Sequence, residues 1–167
     1  LLPEDTPDYI QTAYQSLHYH AITTVYLRYA QTVKLPAPLT GLDDGTAQWV
    51  LHRGALGLPD NEVAVVISVS DYTEAWKDKD LAEKIHADIK RVCPDLDKPE
   101  AVRIITEKRA TTAATVDFVQ PDFSWLHHRR IYPAGDYLHP RYPATLEAAV
   151  QSGFAAAEKL MLDLQVE

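Results

Sequence analysis

Five consecutive apolar residues, Val63 to Ile67, are the longest uninterrupted hydrophobic run in the chain. That is strand length, and Glu62 to Ser70 around it carries the strongest strand signal. No run approaches the ~20 residues that a membrane-spanning helix needs. Thr23 to Ala30 alternates with period two. Val25, Leu27 and Tyr29 fall on one face, and Thr24, Tyr26 and Arg28 on the other. Gln48 to His52 and Ala101 to Thr106 read as further strands. Lys34 to Gly45, with its prolines and glycines, reads as loop and turn. Short strands separated by turns imply an antiparallel hairpin or meander.

Helical periodicity flanks these strands. Thr6-Pro7-Asp8 is a helix start, with Thr6 as the expected cap, and Ile10, Ala13, Tyr14 and Leu17 share one face. Asp78 to Cys93 is a second helix with Leu81, Ile85, Ile89 and Val92 as its stripe, stopped by Pro94. Pro143 opens a long last helix with Leu146, Val150 and Leu160 among its apolar positions. Lys108 to Asp122 reads as irregular, and Arg130 to Ala134 as a short strand. The fold class is α+β: an antiparallel or mixed sheet with flanking helices.

Composition narrows the partners. Sixteen basic against 24 acidic residues give a net charge of −8, which disfavours nucleic acid. A single cysteine, Cys93, leaves no internal disulfide and no cysteine-based zinc site. It reads as a buried structural thiol in a reducing, cytoplasmic setting. His18 and His20 lack a third ligand, so no metal is expected. His127-His128-Arg129-Arg130 reads as a solvated basic loop. The chain starts Leu1-Leu2-Pro3 with neither an initiator methionine nor a signal peptide, and the expectation is a piece of a longer protein. Leu160 to Leu164 look like a natural C-terminus.

The stretch Ala134 to Gly153, AGDYLHPRYPATLEAAVQSG, carries the functional signal. A strand ends at Gly135-Asp136, a short loop follows, and a helix begins around Thr145. Its body holds small residues at Ala148, Ala149, Ser152, Gly153 and Ala155 to Ala157. A helix N-terminus offers free N–H groups and positive partial charge, and an adjacent acid can accept hydrogen bonds from sugar hydroxyls. The pattern suits a polyol-phosphate cofactor. On the residues alone, a common Gly-Asp turn followed by a good helix former accounts for it more simply.

This stretch resembles the C-terminal flavin-binding motif of the FAD-dependent amine oxidase and phytoene desaturase superfamily. Thr24 to Tyr29 (TVYLRY), Trp49 to Gly54 (WVLHRG), Val66 to Ser70 (VISVS) and Glu107 to Thr111 (EKRAT) are similar to one subfamily. These are the squalene-associated FAD-dependent desaturases, or hydroxysqualene dehydroxylases, of bacterial hopanoid synthesis. The resemblance covers roughly Leu17 to Leu160. It implies that residues 1–125 belong to a substrate-binding domain. Residues 126–167 would be the last strand and helix of a Rossmann-like FAD-binding domain. It further implies that Asp136 bonds the ribityl or pyrophosphate part of FAD, that Gly135 allows close approach, and that Thr145, Leu146 and Glu147 lie beside the isoalloxazine ring. Ala148, where the family usually has glycine, and Gln151, where it often has arginine, depart from the pattern. No GxGxxG occurs in the chain; that fingerprint is expected upstream.

The implied parent is an oxidoreductase that reductively removes the hydroxyl of hydroxysqualene to give squalene. A carotenoid- or phytoene-type desaturase, or an amine oxidase-like enzyme, is the alternative. No catalytic residue is assigned. The implied substrate is a hydrophobic isoprenoid, with peripheral contact to the inner membrane, and Val25, Tyr26, Leu27 and Val65 are candidate tunnel walls. The isolated chain is expected to be inactive and to retain little or no FAD. A homodimer through the cut surface would be an artefact. The rival reading is a non-enzymatic α+β binding domain, in which Gly135-Asp136 is only a turn.

Overall fold

A computed structural model describes residues 2–116 and 120–165. The chain divides into two compact units, one of residues 20–110 and one of residues 1–19 with 111–167.

The first of these units holds most of a five-stranded sheet. Its strands are β1 (Tyr19–Arg28), β2 (Leu39–Gly41), β3 (Trp49–His52), β4 (Glu62–Ile67) and β5 (Ala101–Thr112), in the spatial order β2-β3-β4-β1-β5. β1 pairs antiparallel with β4, Val25 opposite Val65 and Arg28 opposite Glu62. β3 pairs antiparallel with both β4 and β2. At β5, the Glu100 N–H bonds the Arg28 carbonyl at 2.8 Å and the Ala113 N–H bonds the His18 carbonyl at 2.8 Å, so β5 also runs antiparallel to β1. β2 forms inside the segment expected to be loop, because Leu39 to Gly41 finds an edge at β3. β5 continues to Thr112, past the expected stop at Thr106, because β1 offers partners along that length.

The period-two reading of β1 holds. Val25, Leu27 and Tyr29 are buried, whereas Thr24 and Tyr26 are half-buried and Arg28 is exposed. The buried face packs on α2 (Asp78–Lys90), where Leu81, Ile85 and Ile89 meet Val25, Leu27, Val50 and Val65. This one-sided burial supplies most of the unit's stability, at about 1.5–3 kcal/mol per large apolar side chain. It also corrects the tunnel assignment. Val25, Leu27 and Val65 are at most 1% exposed and lie in the core. Of the four candidate walls, only Tyr26 sits on the opposite, open face.

Polar ties fix the edges of the unit. Asp88 on α2 accepts from the Thr46 and Ala47 N–H groups at 2.7 and 2.9 Å, holding the turn before β3. Gln48 bonds both the N–H and the carbonyl of Ser68, at 2.9 and 3.2 Å. The buried Thr23 hydroxyl meets Ser70 at 2.9 Å and Thr106 at 2.8 Å. Cys93 is buried, as read, and its thiol donates to the Lys34 carbonyl at 3.0 Å.

The other unit contains α1 (Asp8–Gln15), α3 (Ser124–His128) and α4 (Leu146–Gln165). Thr6 does not cap α1. Its hydroxyl donates to the Pro3 carbonyl at 2.7 Å, and Pro7 occupies the cap position. The expected strand at Arg130 to Ala134 does not form. Isolated extended chain becomes a strand only beside another, and no partner strand for it exists among the described residues. No described helix is long and apolar enough to cross a membrane.

Candidate functional site

The five residues singled out by the sequence come together in the unit of residues 1–19 and 111–167. Gly135 is tied to α4 by its N–H, which donates to Ser152 Oγ at 2.9 Å. Its backbone is extended, but a Cβ there would stand 2.5 Å from the Tyr137 ring. The space that glycine leaves open is therefore filled by Tyr137. That tyrosine donates to the Tyr14 hydroxyl at 3.0 Å, and burial pushes its pKa upward. Asp136 opens a short 3-10 turn, Asp136–Leu138, and its carbonyl accepts from the Ala144 N–H at 3.2 Å. This bond places Asp136 next to the start of α4.

Thr145 stands just outside the helix rather than in its first turn. Its hydroxyl accepts from the Ala148 N–H at 3.1 Å and donates to the Tyr142 carbonyl at 3.0 Å. That is an N-cap, and it fixes where α4 begins. The amides of Leu146 and Glu147 have no preceding turn to bond to. The Leu146 side chain is 89% exposed. Glu147 is held by Gln151 at 2.5 Å, and Gln151 in turn by His139 at 3.0 Å.

The two departures from the family pattern resolve differently. Ala148 is the one fully buried residue of the described part of α4, so its methyl packs inward. Gln151 lies exposed in the His139–Glu147 network. The small residues Ser152, Ala155 and Ala156 line a cavity of about 350 Å³ with Phe123, His127 and Tyr132.

An open helix start, with the Leu146 and Glu147 amides unbonded among the described residues and the Asp136 backbone at the adjoining turn, suits an anionic group such as the phosphate of a dinucleotide. Beyond the helix start, α4 is nearly bare. Val150 is 53% exposed, Phe154 67% and Leu162 59%.

The basic run at 127–130 is tied down. Arg129 pairs with Asp5 at 2.7 Å and lies over the Trp125 ring, while His127 stacks on Tyr132. His20 meets Asp71 at 3.2 Å. Glu107 Oε1 accepts from the Arg109 N–H, and Lys108 pairs with Glu74 at 3.5 Å.

Sequence reasoning missed the open sheet face in the unit of residues 20–110. Trp49, Leu51, Ala64, Val66, Tyr26 and Ile105 lie on it, with Arg28, Glu62 and Arg103 toward one end. The signal was available in the off-phase residues of β1. An apolar face that α2 does not cover is where an apolar ligand can lie.

The chain has informative relatives. Hydroxysqualene dehydroxylase of Zymomonas mobilis is 30% identical over 169 residues, covering 95% of this chain and 35% of the relative. Hydroxysqualene dehydroxylase of Rhodopseudomonas palustris is 31% identical over 147 residues, covering 86% and 33%. The chain thus spans about a third of the length of the curated relatives it matches. Two solved structures share the fold. A protein assigned as a protoporphyrinogen oxidase from Exiguobacterium sp. 255-15 has a TM-score of 0.56 and 16% identity, over 92% of this chain and 40% of that one. A putrescine oxidase redesigned in its cofactor binding has a TM-score of 0.58 and 12% identity, over 93% and 38%. The profile of flavin containing amine oxidoreductases matches residues 1–161. The chain belongs to the flavin containing amine oxidoreductase family.

Proposed function

We propose that this chain is part of an FAD-dependent oxidoreductase that removes the hydroxyl of hydroxysqualene to give squalene. The observation that carries the reading is the pair of relatives named hydroxysqualene dehydroxylase, aligned along 86–95% of the chain. On this reading residues 126–167 complete a Rossmann-like FAD domain begun upstream, and residues 1–125 belong to the substrate domain. When bound, FAD in its reduced form supplies the hydride that replaces the hydroxyl, which leaves with a proton as water.

This chain's residues then have defined tasks. The Leu146 and Glu147 amides at the mouth of α4 bond and favour negative charge on the cofactor. The Asp136 carboxylate accepts from its polyol hydroxyls. Thr145 holds the helix start in place, and Gly135 admits the Tyr137 ring that braces the turn. On the open sheet face, Tyr26, Val66, Trp49 and Ile105 provide an apolar wall that orients a long isoprenoid and excludes water. Such a substrate favours peripheral membrane contact in the parent. The isolated chain, lacking the upstream ADP-binding half, is proposed to bind FAD weakly or not at all and to pair with a second copy through α4.

The test uses the purified longer parent. It should show visible flavin absorbance that bleaches on reduction, and under anaerobic reducing conditions it should convert hydroxysqualene to squalene. A parent that stays colourless after incubation with FAD overturns the flavoenzyme reading. A flavoprotein that ignores hydroxysqualene but desaturates phytoene overturns the substrate assignment.

A further inference from the structure

The open sheet face changes character along its length. Around Trp49, Val66 and Ile105 it is apolar. Past Tyr26 it turns cationic. Arg28 stands opposite Glu62 in the β1–β4 register. Arg53, from the 3-10 turn after β3, bonds Glu62 Oε2 at 2.5 Å and lies 5.3 Å from the centre of the Tyr26 ring. Arg103 on β5 joins them around a groove of about 510 Å³ that also includes Ile105.

Glu62 pairs with Arg53 alone. Arg28 and Arg103 are exposed and have no ion-pair partner among the described residues. Three of the chain's eight arginines thus line a groove that holds one carboxylate, in a protein of net charge −8. Like charges gathered on one strand face are unfavourable unless an anion lies between them. A neutral alcohol does not need two free guanidiniums. A phosphate-type group does, because guanidinium forks match its oxygens bidentately.

We propose that this groove receives the phosphate-type head of an anionic amphiphile whose apolar chain lies along the Ile105–Val66–Trp49 strip. The inference rests on the open face being the wall for an apolar substrate. It adds an anionic ligand class that the dehydroxylation reaction does not itself require.

The test measures binding of decyl phosphate, decanol and inorganic phosphate to the 167-residue chain, below micelle-forming concentrations. Decyl phosphate is expected to bind at least about tenfold more tightly than either of the others, with an affinity that falls as salt rises. The double variant Arg28→Gln/Arg103→Gln is expected to bring decyl phosphate down to the decanol level. Both side chains are exposed, so the melting temperature should hold. If it does not, Arg103→Lys, which keeps the charge and loses the fork, should still weaken decyl phosphate and leave decanol unchanged. Equal binding of decyl phosphate and decanol overturns the anion inference and leaves the apolar wall standing. Inorganic phosphate binding as tightly as decyl phosphate overturns the amphiphile. Binding of neither alkyl probe overturns both the wall and the inference.

Discussion

Helices α2 and α4 both carry apolar stripes, yet they end in opposite situations. α2 has 13 residues and buries Leu81, Ala82, Ile85 and Ile89 against the sheet. α4 has 20 residues, and among those described only Ala148 is buried. Phe154 and Met161 on α4 are 67% and 61% exposed. Periodicity encodes that a face is to be covered, but not which part of the protein covers it. In α2 the cover lies within the chain. In α4 the described residues do not provide it.

The contrast makes a large mutational difference. Ile85→Ala should destabilise the chain by about 2–5 kcal/mol, read from urea unfolding. At concentrations where the chain is a monomer, Phe154→Ala should change its stability by less than about 0.5 kcal/mol. As concentration rises and a second copy covers α4, the loss at Phe154 should grow, and sedimentation should show the dimer; a loss that stays the same at all concentrations overturns the pairing. In the longer parent, Phe154→Ala should cost more than about 1 kcal/mol if the upstream domain supplies the cover.

Asp88→Ala comes next. It strands two backbone amides that now bond a carboxylate, so a loss of about 2–3 kcal/mol is expected. Amide exchange at Thr46 and Ala47 should be faster in this variant than in the parent sequence. Thr145→Ala removes the α4 cap and should cost about 1 kcal/mol. The effect should be local, seen as faster exchange of the Ala148 amide and lower helicity with little change at α2.

The smallest effect is a pH slope. His86 bonds the buried Tyr29 hydroxyl at 3.2 Å. Burial, with Lys90 and Lys98 nearby, lowers its pKa below the ordinary 6.5. The unfolded chain therefore takes up that proton first as pH falls, so stability declines below 6.5. His86→Gln should flatten this part of the stability profile. An unchanged slope would assign the decline to other groups.

Much of this was legible in the sequence, and the rest failed for identifiable reasons. The alternation of β1 placed Val25, Leu27 and Tyr29 together because one buried face imposes period two. The same pattern could not say that α2 covers that face, so three core residues were misread as tunnel wall. β2 escaped notice because three residues beside two prolines become a strand only through the edge of β3. The strand expected at Arg130 to Ala134 had the right residues, but a strand forms only beside a second segment to pair with. At the candidate cofactor site the grouping of Gly135, Asp136 and Thr145 to Glu147 was readable, since all are near in sequence. The Tyr137 ring over Gly135 was not, because it depends on Tyr14, more than a hundred residues away.

Gly45 lies beside the Asp88 carboxylate, where a Cβ would come within 2.8 Å. Asp88 cannot retreat without releasing the two amides that it holds. A side chain at 45 therefore requires the Asp88 carboxylate to move off these amides or to be replaced. Lineages that keep the aspartate in this pose should keep the glycine, whereas loss of the aspartate leaves position 45 free to vary. Change at this corner therefore has an order: position 88 can vary first, and position 45 only after it.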